Sequence, residues 1–207
     1  MYINNIHWHQ STITKEFRQK KNGHKSLIIW LTGLSGAGKS TVANTLQNHL
    51  FKDGINVYIL DGDNLRHSVN NNLSFNSDDR KENIRRTAEI GKLFVDAGFV
   101  VLVALISPFE EDRNQARALF DHGEFIEVYV NCPFQVCETR DPKDLYKKAK
   151  KGEIQHFTGI DLPYEEPKNP EITINTNELS IDECAEKIKS YLYNTVCLKN
   201  SKRRDQK

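Results

Sequence analysis

Cysteine is scarce. The 207 residues contain four, Cys132, Cys137, Cys184 and Cys197, with no CxxC pair and no spacing of the kind a zinc or iron–sulfur site uses. This argues against a disulfide-stapled secreted fold and for reduced, mostly buried thiols in a cytoplasmic protein. Long apolar runs are missing too. No stretch approaches the ~20 residues that cross a bilayer, so no membrane partner is expected. Charge of one sign is lacking as well: 29 Lys and Arg face 28 Asp and Glu, for a formal net charge of +1. Nothing in that balance favours nucleic acid as a partner. Residues 1–25 have no apolar core of the kind a secretory signal needs. They carry His7-Trp8-His9 and a basic run from Lys15 to Lys25. With no third ligand near His7 and His9, the segment reads as an N-terminal arm rather than a metal site. There is no internal repeat and no low-complexity segment.

What is present is organised around Gly33-Leu34-Ser35-Gly36-Ala37-Gly38-Lys39-Ser40. An apolar run, Leu27 to Leu31, precedes it. A helical pattern with Val42, Ala43, Leu46 and Leu50 on one face follows. Strand, glycine-rich loop and helix at the spacing G-x-x-x-x-G-K-S describe a phosphate-binding P-loop. Glycines let the backbone turn and bring N–H groups onto phosphate oxygens. The next helix points its positive end at the same anion. Lys39 is expected against the β and γ phosphates, and the Ser40 hydroxyl on Mg²⁺. The loop therefore specifies a nucleotide and a metal, but not the phosphate acceptor.

Further apolar runs at 55–60, 99–106, 125–130 and 172–175 alternate with helical patterns. Ser77 and Ser180 read as helix N-caps. Such alternation predicts an α/β fold, a three-layer P-loop kinase-type domain with a parallel five-stranded sheet. The expected organisation is an arm over 1–25, the domain over 26–198 and a basic, disordered tail over 199–207. Residues 143–168 break the pattern. They crowd Lys143, Lys147, Lys148, Lys150 and Lys151 into a helical segment, then run through Gly152, Gly159 and Pro163. This composition suits a mobile lid over phosphates and equally a solvated surface helix and loop.

Right-handed crossovers bring the loops after the strands to one edge. The strand ending in Asp61-Gly62-Asp63 is expected to neighbour the P-loop strand, which gathers Lys39, Asp61, Asp63 and Ser107 there. Asp61 is a candidate both for the base that takes the acceptor proton and for an orienter of magnesium water. Arg66 and Arg80 suit a second anion. Phe75 is either a core anchor or a platform for an aromatic base, and Phe157 could stack from the lid. The residues alone point to an anionic acceptor with an aromatic ring. Kinases of nucleosides, shikimate or RNA 5′-hydroxyls, and a nucleotide-sensing module, remain alternatives.

The P-loop block resembles adenylyl-sulfate (APS) kinase, as do Leu60-Asp61-Gly62-Asp63-Asn64-Leu65-Arg66, Asp79 to Arg86, Ile106-Ser107-Pro108-Phe109, Asp112-Arg113, Asp144 to Ala149 and Phe157-Thr158-Gly159-Ile160-Asp161. These blocks span nearly the whole chain. With no sulfurylase domain in it, the chain resembles the stand-alone form. The resemblance implies transfer of the ATP γ-phosphate to the 3′-hydroxyl of APS in sulfate activation. The products are ADP and 3′-phosphoadenylyl sulfate (PAPS). It also implies a homodimer, and a sulfate adenylyltransferase as pathway partner.

Position by position, the resemblance implies that Gly33, Leu34, Ser35, Gly36, Ala37, Gly38, Lys39, Ser40 and Thr41 hold ATP, and that Ser40 and Asp61 hold Mg²⁺. Asp63, Asn64, Leu65, Arg66, Phe75, Arg80 and Asn83 line the APS site. Ile106 and Ser107 border it, and Lys143 and Phe157 close it from the lid. Asp61, Lys39 and Ser107 are the catalytic candidates. The bacterial family's phosphoserine proposal for Ser107 stands against direct in-line transfer, which needs no protein nucleophile. Ser107 reads here as a ligand-contacting hydroxyl open to phosphorylation. One departure is visible. Where the family has Asp-Val-Lys-Gly-Leu-Tyr, this chain has Asp141-Pro142-Lys143-Asp144-Leu145-Tyr146. Pro142 stiffens the lid entrance and Asp144 adds a negative charge there.

Overall fold

The computed structural model describes residues 6–7, 9–196 and 198. Trp8, Cys197 and the basic tail over 199–207 lie outside the described residues. All five expected strands form: β1 (Leu27–Thr32), β2 (Val57–Asp61), β3 (Val100–Ala104), β4 (Phe125–Asn131) and β5 (Ile172–Asn175). They make one parallel sheet in the order β2-β3-β1-β4-β5. The P-loop strand is central and buried along its whole length, as its unbroken apolar run requires. Its side chains divide between two cores. Leu27, Ile29 and Leu31 join the P-loop helix α2 (Lys39–Lys52) and the C-terminal helix α8 (Ile181–Asn194) on one face. Ile28 and Trp30 meet α4 (Ser77–Asp96) and Ala116 of α5 (Glu110–Arg117) on the other. A strand that alternates between two helical layers is the middle of a three-layer sandwich.

Two local expectations need correction. β3, not β2, is the neighbour of the P-loop strand on that side. Asp61 still reaches the P-loop helix because Asp61 and Leu31 both pair with Ala104, so the strand ends are level. The N-cap of α4 is Asn76, whose side chain accepts from the Asp79 amide at 2.8 Å. Ser77 is therefore the first helical residue, since an asparagine oxygen outcompetes it by one position. The arm contains a helix, α1 (Lys15–Asn22). Lys15 pairs with Asp121 and Glu124, Arg18 pairs with Asp96, and Asn22 donates to the Gly98 carbonyl. The basic run is thus fastened to the loops at the N-terminal ends of β3 and β4. The expected cap of the last helix holds: Ser180 and Glu183 form a full capping box.

Short helices complete the chain between these elements: α3 (Gly62–Arg66), α6 (Phe134–Arg140) and α7 (Leu145–Lys150). No helix among the described residues is long and apolar enough to cross a membrane.

Candidate active site

The P-loop closes over the end of β1. Gly33 has φ 152°, and a Cβ there would stand 2.5 Å from the Val130 carbonyl oxygen. Gly36 has φ 75°, and a Cβ would meet the Cys137 carbonyl oxygen at 2.8 Å. Both contacts are with backbone, which cannot step aside, so glycine is obligatory at these two points. Lys39, 9% exposed, folds back on the loop. Its Nζ donates to the Gly33 and Leu34 carbonyls at 2.9 and 2.7 Å. Burial pulls its pKa from 10.5 down to about 8, against smaller opposing pulls from Cys137 and Asp61. An ammonium held out of water with no ion-pair partner among the described residues is a site waiting for negative charge.

Ser40 and Asp61 meet across the level strand ends: Ser40 Oγ donates to Asp61 Oδ2 at 2.6 Å. Asp61 Oδ1 accepts from the Asp63 amide at 3.0 Å and caps α3. One carboxylate oxygen is thus fixed by the backbone and the other faces the P-loop helix. A hard hydroxyl and a hard carboxylate oxygen at hydrogen-bond distance fit Mg²⁺, which takes few protein ligands and completes its shell with phosphates and water. No group of three or more His, Cys, Asp or Glu side chains suited to a metal occurs among the described residues.

A second cationic wall stands on α3, α4 and the turn between them. The Arg66 guanidinium lies 4.2 Å above the Phe75 ring and that of Arg80 is 5.8 Å from it. Phe75 itself is 54% exposed, so it is a displayed platform and not a core anchor. Arg66 donates to the Leu73 and Ser74 carbonyls, and Arg80 to the Phe75 carbonyl at 2.7 Å. Burial lowers the pKa of both, and in Arg80 the nearby Arg66 lowers it further. Two guanidiniums near one aromatic ring suit an oxyanion, whose charge offsets their mutual repulsion. Asp63 and Asn64 are exposed beside them. Asn83 is buried, 5% exposed, next along α4.

The lid segment is clasped onto this wall at two points. Lys143 is ion-paired with Asp63. Arg80 donates to the His156 carbonyl at 2.9 Å and to Thr158 Oγ1 at 3.3 Å. Between the clasps, Tyr146, 1% exposed, donates its hydroxyl to the Ser35 carbonyl of the P-loop at 2.9 Å. A cleft of about 410 Å³ runs along the seam between Leu34 and the stretch that includes Gly159, Pro163 and Tyr164. Arg66, Phe75 and Arg80 do not line it.

Three expected site residues sit differently. Phe157 is 5% exposed and packs edge-on to Tyr146 at 4.9 Å between ring centres. It anchors the lid to the core and does not face Phe75, because the apolar surface of Phe134 and Tyr146 offers an aromatic ring more burial than a polar groove does. Leu65 is 7% exposed and joins the Ile84 and Trp30 core, so it holds α3 down. Ser107 is 2% exposed with φ 40°. Its hydroxyl accepts from Trp30 Nε1 at 3.0 Å, and its carbonyl accepts from Arg113 at 2.8 Å. Here Ser107 is a buried, hydrogen-bonded hydroxyl and not a displayed one. The Ile106 carbonyl accepts from Thr32 at 2.7 Å, tying the end of β3 to the start of the P-loop.

Two further residues escaped the sequence reading. Arg140 donates to Thr176 Oγ1 at 3.2 Å and to its carbonyl at 2.6 Å. Thr176 donates to the Ala37 carbonyl at 2.8 Å. Together they brace the P-loop from behind. Nothing in their spacing announces this, since they are 36 positions apart and meet only through the β4–β5 pairing.

With this geometry in view, the comparisons with known proteins agree. The adenylylsulphate kinase family model matches residues 25–175. A probable adenylyl-sulfate kinase of Halalkalibacterium halodurans is 65% identical over 178 residues, 86% of this chain and 86% of that protein. The adenylyl-sulfate kinase of Staphylococcus carnosus is 55% identical over 188 residues, 91% of this chain and 94% of that one. Among solved structures, Mycobacterium tuberculosis APS kinase CysC in complex with AMPPNP and APS superposes with a TM-score of 0.78. It is 47% identical, over 82% of this chain and 98% of that chain.

Proposed function

The chain belongs to the adenylylsulphate kinase family, and from that premise we infer that it transfers the γ-phosphoryl group of ATP to the 3′-hydroxyl of APS. The O–P bond to the ADP leaving group breaks as the bond to the 3′-oxygen forms, and the hydroxyl proton leaves with the base. The products are ADP and PAPS. The observation that carries the reading is the pair of cationic sites flanking Asp61. The buried Lys39 ammonium waits on the P-loop side, and the Arg66–Phe75–Arg80 stack waits on the other. A kinase acting on a neutral acceptor has no use for the second.

In this reading Gly33 to Thr41 cradle the ATP phosphates. Lys39 moves its two carbonyl bonds to phosphate oxygens and balances charge on the transferring group. Asp61, oriented by the Asp63 amide, takes the acceptor proton. Arg66 and Arg80 hold the phosphosulfate, and Phe75 stacks on the adenine. Asp63, Asn64, Asn83 and the Ile106–Ser107 edge complete the pocket. Lys143 closes it, while Phe157 and Leu65 act through packing. Ser40 and Asp61 would hold Mg²⁺, which supplies Lewis-acid neutralisation of the phosphates when bound. The same reading includes a homodimer in the cytoplasm, fed with APS by a sulfate adenylyltransferase.

A coupled ADP-release assay with ATP, Mg²⁺ and APS tests it. ADP release stimulated by APS is the expected result. Release no faster than with ATP and Mg²⁺ alone refutes the reading.

A further inference from the structure

Asn70 lies in the turn after α3 and is wholly buried, 0% exposed. Its backbone organises one wall of the acceptor site. The Asn70 amide donates to the Leu65 carbonyl at 2.8 Å, and its carbonyl accepts from the Leu73 amide at 3.1 Å. The Leu73 carbonyl in turn accepts from Arg66 at 3.0 Å. The side chain reaches the other wall: Asn70 Nδ2 donates to Asn83 Oδ1 at 2.9 Å. The remaining Asn70 oxygen, Oδ1, is buried and has no hydrogen-bond partner among the described residues. An idle buried amide oxygen is a cost that an apolar side chain of the same shape would avoid. Packing alone therefore gives no reason for an amide here, whereas its donor end does.

A side-chain amide has one oxygen that only accepts and one nitrogen that only donates. The bond from Asn70 engages the oxygen of Asn83, which leaves the Asn83 Nδ2 group as the free end. We propose that Asn70 is a positioning residue for the phosphate acceptor. It locks the Asn83 amide with its N–H group toward the site, so that this point of the pocket selects a ligand atom that accepts a hydrogen bond. A ring nitrogen or hydroxyl oxygen of the acceptor nucleotide satisfies it, and an amino group in the same place does not. The inference rests on the reading of Asn83 as part of the APS site.

Two variants test it. In Asn70→Asp the carboxylate can only accept, so the Asn83 amide must turn over and present its oxygen to the ligand. In Asn70→Ala the amide is free to rotate. At pH 8 the KM for APS is expected to rise about tenfold or more in Asn70→Asp and by less in Asn70→Ala. The KM for ATP stays within about twofold of wild type in both, since the P-loop is untouched. Lowering the pH to 6 protonates the introduced carboxyl, whose pKa burial raises, and lets it donate to Asn83. The APS defect of Asn70→Asp then shrinks while its KM for ATP holds steady over the same pH range, whereas a general lesion from burying the carboxylate moves both. If Asn70→Asp does not fold, Asn70→Ala decides alone: an unchanged KM for APS, or an equal rise for ATP and APS, overturns the proposal. Wild-type protein without APS-dependent turnover overturns the functional reading and this inference together. Normal wild-type turnover with an unaffected Asn70→Asp overturns this inference only.

Discussion

In the proposed reading Lys39 serves phosphoryl transfer while it burdens the nucleotide-free fold, and Lys39→Met separates the two. Methionine matches the length of the lysine stem and removes the charge. The fall in pKa from 10.5 to about 8 corresponds, at about 1.36 kcal/mol per pH unit, to roughly 3 kcal/mol of penalty for holding the ammonium out of water at neutral pH. Against this stand its two bonds to the Gly33 and Leu34 carbonyls, worth about 1 kcal/mol each. The variant is therefore expected to be more stable than wild type by about 1 kcal/mol, a rise in Tm of about 2–4 °C for a chain of this size. Turnover should fall by at least about a thousandfold.

Differential scanning calorimetry without nucleotide reads the first effect and ADP release reads the second. ATP should raise the Tm of wild type far more than that of the variant. The pH dependence adds a further check. The unfolded chain keeps the Lys39 proton up to about pH 10.5, while the folded chain releases it near pH 8. Wild-type stability therefore gains on Lys39→Met as pH rises from about 8 to 10.5, and the difference is constant below that window. A drop in Tm of several degrees in Lys39→Met would mean that the two carbonyl bonds outweigh desolvation. The account of Lys39 as a pre-paid anion site would then be wrong.

Asp61→Asn keeps an oxygen for the Asp63 amide and so keeps the cap of α3. ADP release is expected to fall at least about a hundredfold while ATP binding, followed by calorimetric titration, changes little; near-normal turnover excludes Asp61 as the base. Arg80→Ala removes one half of the anion pair and one lid clasp. KM for APS should rise about tenfold or more and proteolysis within residues 150–160 should accelerate, and a protein with unaltered KM for APS contradicts the acceptor assignment. Tyr146→Phe deletes the hydroxyl on the Ser35 carbonyl, and urea unfolding should show a loss of about 1 kcal/mol together with a raised KM for ATP.

Legibility in the sequence followed the range of the forces involved. β1 could be read because a strand buried on both faces is apolar through its length, here from Leu27 to Leu31. The P-loop could be read because close backbone approach leaves only glycine at Gly33 and Gly36. Asp61 was recognisable as the end of a strand, but its strand neighbour was not, because sheet order is decided by crossovers that carry no local signal. Phe75 and Phe157 show the limit most directly. Both are phenylalanines in polar, loop-like stretches, and their local patterns are indistinguishable. One is displayed with the Arg66 guanidinium over its ring and the other is buried against Tyr146, a difference set by the packing around each ring and not by the residues beside it in sequence.

Asp144 makes the complementary point. By composition it was only a negative charge at the lid entrance. In the structure it sits at φ 53° immediately before α7, at the position where the family resemblance has glycine. Aspartate is among the few residues that tolerate the left-handed region, so the substitution preserves the backbone turn that seats Tyr146 beneath the P-loop. Its aspartate is better understood as a conservative answer to a conformational demand than as a change of charge. That demand comes from the same lid contact through which the P-loop and the acceptor wall are held together.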